Sequence, residues 1–577
     1  MRTLRLASIA LTATSIAANA SAAAEPGPFA VAADHALAER AGLAVLERGG
    51  NAVDAAVATS LALAVVRPES CGIGGGGFMV IHLVDDPRTE AEGDAIDIAL
   101  DYRERAPAAI TPTTFVDLPA DASITTGLAV AVPGTVAGLL RAHEMFGVLS
   151  RAEVIAPAIA LARSGYALDA HAAEAAEELR VAITSPGIGF QERFFMAQFV
   201  PEDPDHPEDK RPHLAELAEA LDLIAKAGRD AFYTGDIARA IVDTVKARGG
   251  VMTMEDLAGY HPVETVPLRL EALDKTFLAM PLPSSGGVAV LQCIRTIEER
   301  RDLLANVKFG MPKYLHLVSE ALKLAFADRA RFLADPECTD ARAEPMLDPV
   351  RIRARAYKIR NDSPLAIDDP AVIAPLPEDG GTSHLCVVDA AGNAVACTET
   401  VNLLYGSRIP VVRYGFFLNN EMDDFLTRPG RANAFALTQA EANLPGPGKR
   451  PLSSMSPTIV LDHRGDVEVV VGASGGPRII SATLQVLLGV VMFKADAQDA
   501  VDAPRIHHQW QPDVLEVEAS PAMVADAIRA LRDRKNTVEV TERGAAVQCI
   551  VRDPVHPSLW HSAHDKRKRV DPAAPSR

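Results

Sequence analysis

The strongest constraint on this chain is a change of texture near residue 366. Residues 367–381 (IDDPAVIAPLPEDGG) form an acidic stretch with three prolines that ends in two glycines, and this suits an exposed linker. Before the linker, helix-period patterns dominate. Residues 33–49 have helical apolar spacing and stop at Gly49-Gly50, and Asn51 can cap a second helix that runs to Val66. A Gly-rich loop then feeds a strand at 78–84, and 96–102 reads as another strand. Two helices are expected over 133–165, broken near Gly147 with Ser150 as a cap. A polar, proline-rich loop follows at 201–213. Helices return at 214–248 and 287–333, with short strands near 266–270 and 276–280. After the linker, period-two patterns take over. Strands at 382–389 and 394–401 flank a hairpin signal at 390–393, and strands at 458–462 and 467–471 flank Gly465. A long amphipathic helix is predicted over 478–493, followed by strand, helix and strands over 514–551. Helices first and hairpins later predict an α+β layered sandwich rather than a βαβ-wound sheet.

Charge narrows the partners. Lys and Arg number 57 against 76 Asp and Glu, so the formal net charge is −19 and nucleic acid is not expected. The 577 residues are ample for a core without disulfide staples. The six cysteines are scattered and show no CxxC pair, so no zinc ribbon or disulfide framework is indicated. Residues 1–24 (MRTLRLASIALTATSIAANASAAA) combine a basic start, an apolar centre and several A-x-A cuts, which is the pattern of a secretory signal peptide. The plainer reading is an Ala-rich tail. No later stretch has the ~20 unbroken apolar residues of a membrane span. The mature protein is expected to be exported, to a periplasm or to the medium.

Several local patterns have competing readings. Residues 72–77 (GIGGGG) contain GxGxxG, but a helix precedes the loop and a strand follows it, the reverse of a dinucleotide site. A tight turn with close backbone approach is expected instead. His507 and His508 are adjacent and would diverge on a regular element, so metal ligation is not expected. The basic run 566–569 reads most simply as a solvated face or tail. At Gly380-Gly381-Thr382, glycine precedes a hydroxyl residue that opens a strand. This layout suits a chain that cuts itself. Thr382 Oγ1 would attack the Gly381 carbonyl, water would open the ester, and the freed α-amine would become the base for the hydroxyl beside it. A plain turn fits the same three residues.

The wider context carries a resemblance. The segments 49–58 (GGNAVDAAVA), 74–78 (GGGGF), 101–107 (DYRERAP), 132–138 (VPGTVAG), 382–402 (TSHLCVVDAAGNAVACTETVN), 419–425 (NNEMDDF), 449–460 (KRPLSSMSPTIV), 472–480 (GASGGPRII) and 503–510 (APRIHHQW) occur in this order. Together they resemble the γ-glutamyltranspeptidase family. The resemblance implies a precursor with the four-layer αββα fold of N-terminal-nucleophile hydrolases. Such a precursor would be cut between Gly381 and Thr382 into a large subunit (25–381) and a small one (382–577) that stay together as a heterodimer. It implies Thr382 as nucleophile and base, Thr400 as its orienting partner, and Gly475 and Gly476 as oxyanion donors. Arg103, Ser453 and Ser454 match the groups that hold a substrate α-carboxylate, and Asn402, Glu421 and Asp424 match those around its α-ammonium. Taken singly, Arg105 is as available as Arg103, the two acids fit ordinary strand ends, and the serine pair fits a turn.

The activity implied is γ-glutamyl transfer and glutathione hydrolysis, with an amino acid or dipeptide as acceptor and with no metal or organic cofactor. A same-fold acylase acting on glutaryl-type side chains and an unprocessed γ-glutamyl-binding protein are the alternatives. One departure stands out. Where some members carry a tyrosine in the lid over the pocket, Phe435 aligns here. It can cover the pocket but cannot make the hydrogen bond, so a looser gate is expected, with hydrolysis competing well against transfer.

Overall fold

Along the strand Gly76–Leu83, alternate side chains enter two different cores. Met79, Ile81 and Leu83 pack with the helices of the N-terminal half, while Phe78 and Val80 join the apolar layer shared with a second sheet. This two-residue period is what a sheet buried on both faces requires. The computed structural model describes residues 26–85, 95–185, 187–366, 380–519, 525–542 and 544–569. The leader expected at 1–24 and nearly all of the linker lie outside these residues.

The first sheet runs Ala30–Ala33, Gly381–Val388, Ala394–Asn402, Gly76–Leu83, Ile96–Tyr102, Val263–Thr265, with every neighbour antiparallel. The second runs Trp560–His564, Ala546–Arg552, Val467–Ser474, Thr458–Leu461, Lys275–Ala279, Leu268–Ala272, also antiparallel throughout. The helices Ala36–Glu47 and Ala52–Val66 cover the outer face of the first sheet. Ser285–Glu299, Pro312–Phe332 and Arg478–Leu487 cover the second. The order helix, sheet, sheet, helix is the expected αββα sandwich. Each sheet contains strands from both sides of the linker, so the residues before and after Gly381 share one core.

Local sequence explains most of these elements. Asn51 accepts from the Val53 and Asp54 N–H groups, and Asp54 returns a bond to the Asn51 N–H, which closes a capping box. Ser150 and Glu153 do the same for Arg151–Ser164. The glycine loop is a close-approach device, as expected. A Cβ at Gly74 would lie 2.1 Å from the Phe417 carbonyl oxygen, and one at Gly75 would lie 2.0 Å from that of Thr400.

Some expectations need amendment. The helix predicted over 478–493 is α-helical to Leu487 and finishes as a π-turn, Leu488–Met492. The strand Ala30–Ala33 and the helices Ala170–Thr184 and Phe190–Ala197 were not anticipated. The basic run 566–569 is not a solvated tail. Lys568 is only 3% exposed, and Arg567 and Arg569 pair with Glu518 and Glu39.

Candidate active site

Gly381 and Thr382 open the strand Gly381–Val388 at a bulge. Gly381 faces Asn402 and Thr382 faces Thr400 on the neighbouring strand. Glycine is required there for space, because a Cβ would sit 2.1 Å from the Leu403 carbonyl oxygen. The Thr382 N–H bonds to the Gly380 carbonyl at 2.8 Å, tightening the chain just before the strand. Thr382 Oγ1 lies 3.1 Å from Thr400 Oγ1. Thr400 Oγ1 donates to the Gly381 carbonyl at 2.7 Å and accepts from the Asn402 N–H at 2.8 Å. With its proton committed to Gly381, Thr400 keeps a lone pair for the Thr382 hydroxyl.

These groups open into a narrow pocket whose wall includes Arg103, Thr382, Asn402, Glu421, Asp424 and Gly476. Ser453, Ser454 and Phe435 also line it, and Gly475 stands one residue behind Gly476, outside the wall. Both glycines have positive φ, 125° and 58°, and they turn the end of Val467–Ser474 into the helix Arg478–Leu487. That turn leaves the first N–H groups of a helix near the junction: a Cβ at Gly380 would lie 3.0 Å from the Gly476 nitrogen.

Arg103 follows the strand Ile96–Tyr102 and is 1% exposed. One guanidinium nitrogen pairs with Glu421, another with Asp424 at 2.6 Å, and Nε donates to the Pro451 carbonyl at 3.2 Å. Arg105, the equal alternative in sequence, donates instead to the Gly448 carbonyl at 2.9 Å and does not line the pocket. Burial pushes the Glu421 and Asp424 carboxyls upward against the pull of Arg103. Burial also works against the Arg103 charge, but the two acids outweigh it and hold the guanidinium protonated. Glu421 and Asp424 lie on the 3₁₀ turn Glu421–Asp424. Asn419 fixes that turn by accepting from the Glu421 N–H and donating to the carbonyls of Gly74 and Ala131.

Phe435 covers the Gly475-Gly476 turn, and a Cβ on Gly476 would come within 2.8 Å of its ring. Its loop is pinned through the backbone. Ala434 N–H donates to Asp423 at 2.8 Å, and Gln509 Nε2 lies 3.3 Å and 3.1 Å from the Phe435 and Ala436 carbonyls. His507 and His508 serve the same scaffold, bonding Ser481 and Asp513.

The site groups named from sequence thus meet around one pocket, with Gly475 just behind it. A family profile described as Gamma-glutamyltranspeptidase matches residues 38–574. The chain belongs to the γ-glutamyltranspeptidase family. Among its relatives, the glutathione hydrolase proenzyme of Escherichia coli (strain K12) is 36% identical over 537 residues, 91% of this chain and 88% of that protein. The protein of the same name from Pseudomonas aeruginosa is 37% identical over 516 residues, 88% of each chain. Among solved structures, the cephalosporin acylase of Bacillus halodurans superposes with a TM-score of 0.78 at 24% identity, covering 93% of this chain and 94% of that one. That likeness concerns the fold, the αββα sandwich of N-terminal-nucleophile hydrolases.

In this member of the family, three buried groups near the site were not singled out from sequence. Glu104 lies 3.7 Å from Arg103 and is pushed up to about 7 by burial. Arg329 donates to Ser285 Oγ at 2.9 Å, and Ser285 in turn donates to the Ser453 carbonyl. Lys568 contacts the Thr382 carbonyl. None of them carries a local sequence signal, because their meaning comes from partners far away in the chain.

Proposed function

We propose that this chain is an exported, self-processing glutathione hydrolase and γ-glutamyltransferase. The observation that carries the reading is the meeting of Thr382 and Thr400 with the Arg103–Glu421–Asp424 cluster in one pocket. In the precursor, Thr382 Oγ1 attacks the Gly381 carbonyl carbon, which Thr400 polarises. The C–N bond breaks, nitrogen takes the hydroxyl proton, and an ester forms. Water then opens the ester, leaving a large subunit that ends at Gly381 and a small one that begins with a free Thr382 amine. The proenzyme names of the curated relatives support such processing.

In the mature protein the Thr382 amine accepts the hydroxyl proton as Oγ1 attacks a γ-glutamyl amide. The N–H groups of the Gly475-Gly476 turn hold the oxyanion. The amine proton passes to the leaving group, cysteinylglycine in the case of glutathione. Water or an amino acid or dipeptide then takes the γ-glutamyl group from Thr382. The chain supplies nucleophile, base and oxyanion donors itself. The pattern of residues 1–24 supports export, and no helix among the described residues is long and apolar enough to cross a membrane.

Charge selects the substrate class. Arg103 sets one cation against Glu421 and Asp424, two carboxyls that burial pushes toward their protonated forms. A γ-glutamyl head brings both a carboxylate and an ammonium, so the balance is unchanged on binding. A glutaryl head brings only a carboxylate and adds an unmatched negative charge to a buried site. This favours the transpeptidase reading over the same-fold acylase, and the intact junction argues against a binding protein that never matures. The test is N-terminal sequencing of the purified protein, with Thr-Ser-His-Leu expected at the small subunit, followed by turnover of γ-glutamyl-p-nitroanilide against a glutaryl amide. A single uncut chain, or preference for the glutaryl compound, refutes the reading.

A further inference from the structure

The chemistry above makes no use of a buried ammonium that touches the proposed nucleophile. Lys568 lies just past the strand Trp560–His564 and does not line the pocket. Its Nζ donates to the Thr382 carbonyl, lies 3.1 Å from Asp34 Oδ2 and 3.5 Å from Ser474 Oγ. Asp34 is held in turn by Gln548 Nε2 at 2.9 Å. Arg567 and Arg569 anchor the segment on either side through Asp565, Glu518 and Glu39. A neutral donor would suffice to hold a carbonyl, and an ammonium taken from water is costly even when paired.

The carbonyl belongs to the residue whose own nitrogen cleavage would free. Three bonds separate that nitrogen from the oxygen, so a cation hydrogen-bonded to the oxygen lies within about 6 Å of the nitrogen. At that range a positive charge disfavours the protonated amine. We propose that Lys568 is a positioning residue that sets the basicity of the Thr382 α-amine, keeping it neutral where an ordinary N-terminus is largely protonated. The proposal rests on the reading that cleavage frees this amine.

Other charged and titratable groups face this end of the strand. Arg67, 3.4 Å from the Lys568 carbonyl, is paired with Asp169. Glu69, whose backbone abuts Gly381, and Glu399, opposite Ser383, are both pushed by burial to about 7, so they gain charge over the same pH range in wild type and in the Lys568 variants alike, and the comparison between them isolates the lysine. His384, two residues along the strand, is driven down to about 3 by burial and is neutral. Across the pocket Arg103 is matched by Glu421 and Asp424. Asp34 contacts Lys568 rather than Thr382, so its opposing charge acts from farther off.

The experiment is the pH profile of kcat/KM for γ-glutamyl-p-nitroanilide hydrolysis by processed protein. Lys568→Met is expected to move the acid limb up by about one pH unit, with roughly tenfold loss at pH 6.5 and little loss at pH 9. Lys568→Arg is expected to keep the wild-type limb. An equal loss at every pH would mean a merely structural anchor and would overturn the proposal. If the methionine variant is not cleaved, Asp34→Asn combined with Lys568→Met removes both buried charges and should move the limb the same way. The wild type gives an independent reading. Competitive acetylation of the new N-terminal threonine across pH should show a midpoint below 7, and a midpoint in the ordinary range of about 7.7–8.0 overturns the proposal. Wild type without a Thr-Ser-His-Leu terminus refutes the functional reading itself, which is a separate outcome.

Discussion

The hydroxyls of Thr382 and Thr400 lie 3.1 Å apart across two antiparallel strands, and the Thr400 hydroxyl also reaches the Gly381 carbonyl at 2.7 Å. One side chain therefore touches both the attacking oxygen and the bond it would break. Thr382→Ala is expected to give an uncut chain with no turnover. Thr400→Val keeps the shape but removes the carbonyl contact, and processing should slow by about 10²-fold. A time course on a denaturing gel measures both, and two bands from Thr382→Ala would end the self-cutting mechanism.

Arg103 is forked between Glu421 and Asp424, and a lysine cannot hold two carboxylates in that geometry. Arg103→Lys should lower kcat/KM for γ-glutamyl substrates by roughly ten- to a hundredfold, mainly through KM. Arg105→Lys, whose partner is the Gly448 carbonyl, should change KM little. Steady-state kinetics on the pair separates the two arginines.

Glu69 is buried, and neither carboxyl oxygen has a hydrogen-bond partner. Burial raises it to about 7, against ~4.3 in an unfolded chain. The native state thus holds a proton that the unfolded state loses first. Its contribution to stability is complete below about pH 4.3 and is lost as pH rises toward 7. Glu69→Gln removes this loss, so the variant should gain up to about 3 kcal/mol relative to wild type between pH 4.5 and pH 8. Urea unfolding at those two pH values checks the sign, and an unchanged difference refutes it.

Phe435 lies on Gly476 and closes the pocket with its ring, while its loop is held by backbone bonds to Asp423 and Gln509. Phe435→Tyr should raise the ratio of transfer to glycylglycine over hydrolysis, because an added hydroxyl can tie the lid to the substrate side. An unchanged ratio would show that the backbone contacts alone hold the gate.

Much of the fold was legible. The strands at 96–102, 382–389 and 394–401 form within a residue of their expected ends, the latter two because the turn signal at 390–393 fixes where the hairpin reverses. The strand Ala30–Ala33 was missed because AVAA has no alternation, and it is a strand only through pairing with Gly381–Val388. The tail was misread for a related reason. DKRKR looks solvated until Asp34, more than five hundred residues earlier, is brought beside Lys568.

By itself the sequence determined the periodicities, the caps, the glycine turns and the family, since each is written in neighbouring residues. The motif match singled out Arg103 over Arg105, but tertiary structure alone paired it with acids 318 and 321 positions away and buried Lys568 against Thr382. The reason is physical. Local patterns fix which face a side chain takes, but the meeting of distant charges depends on how two sheets stack and on the cost of burying a charge without its partner.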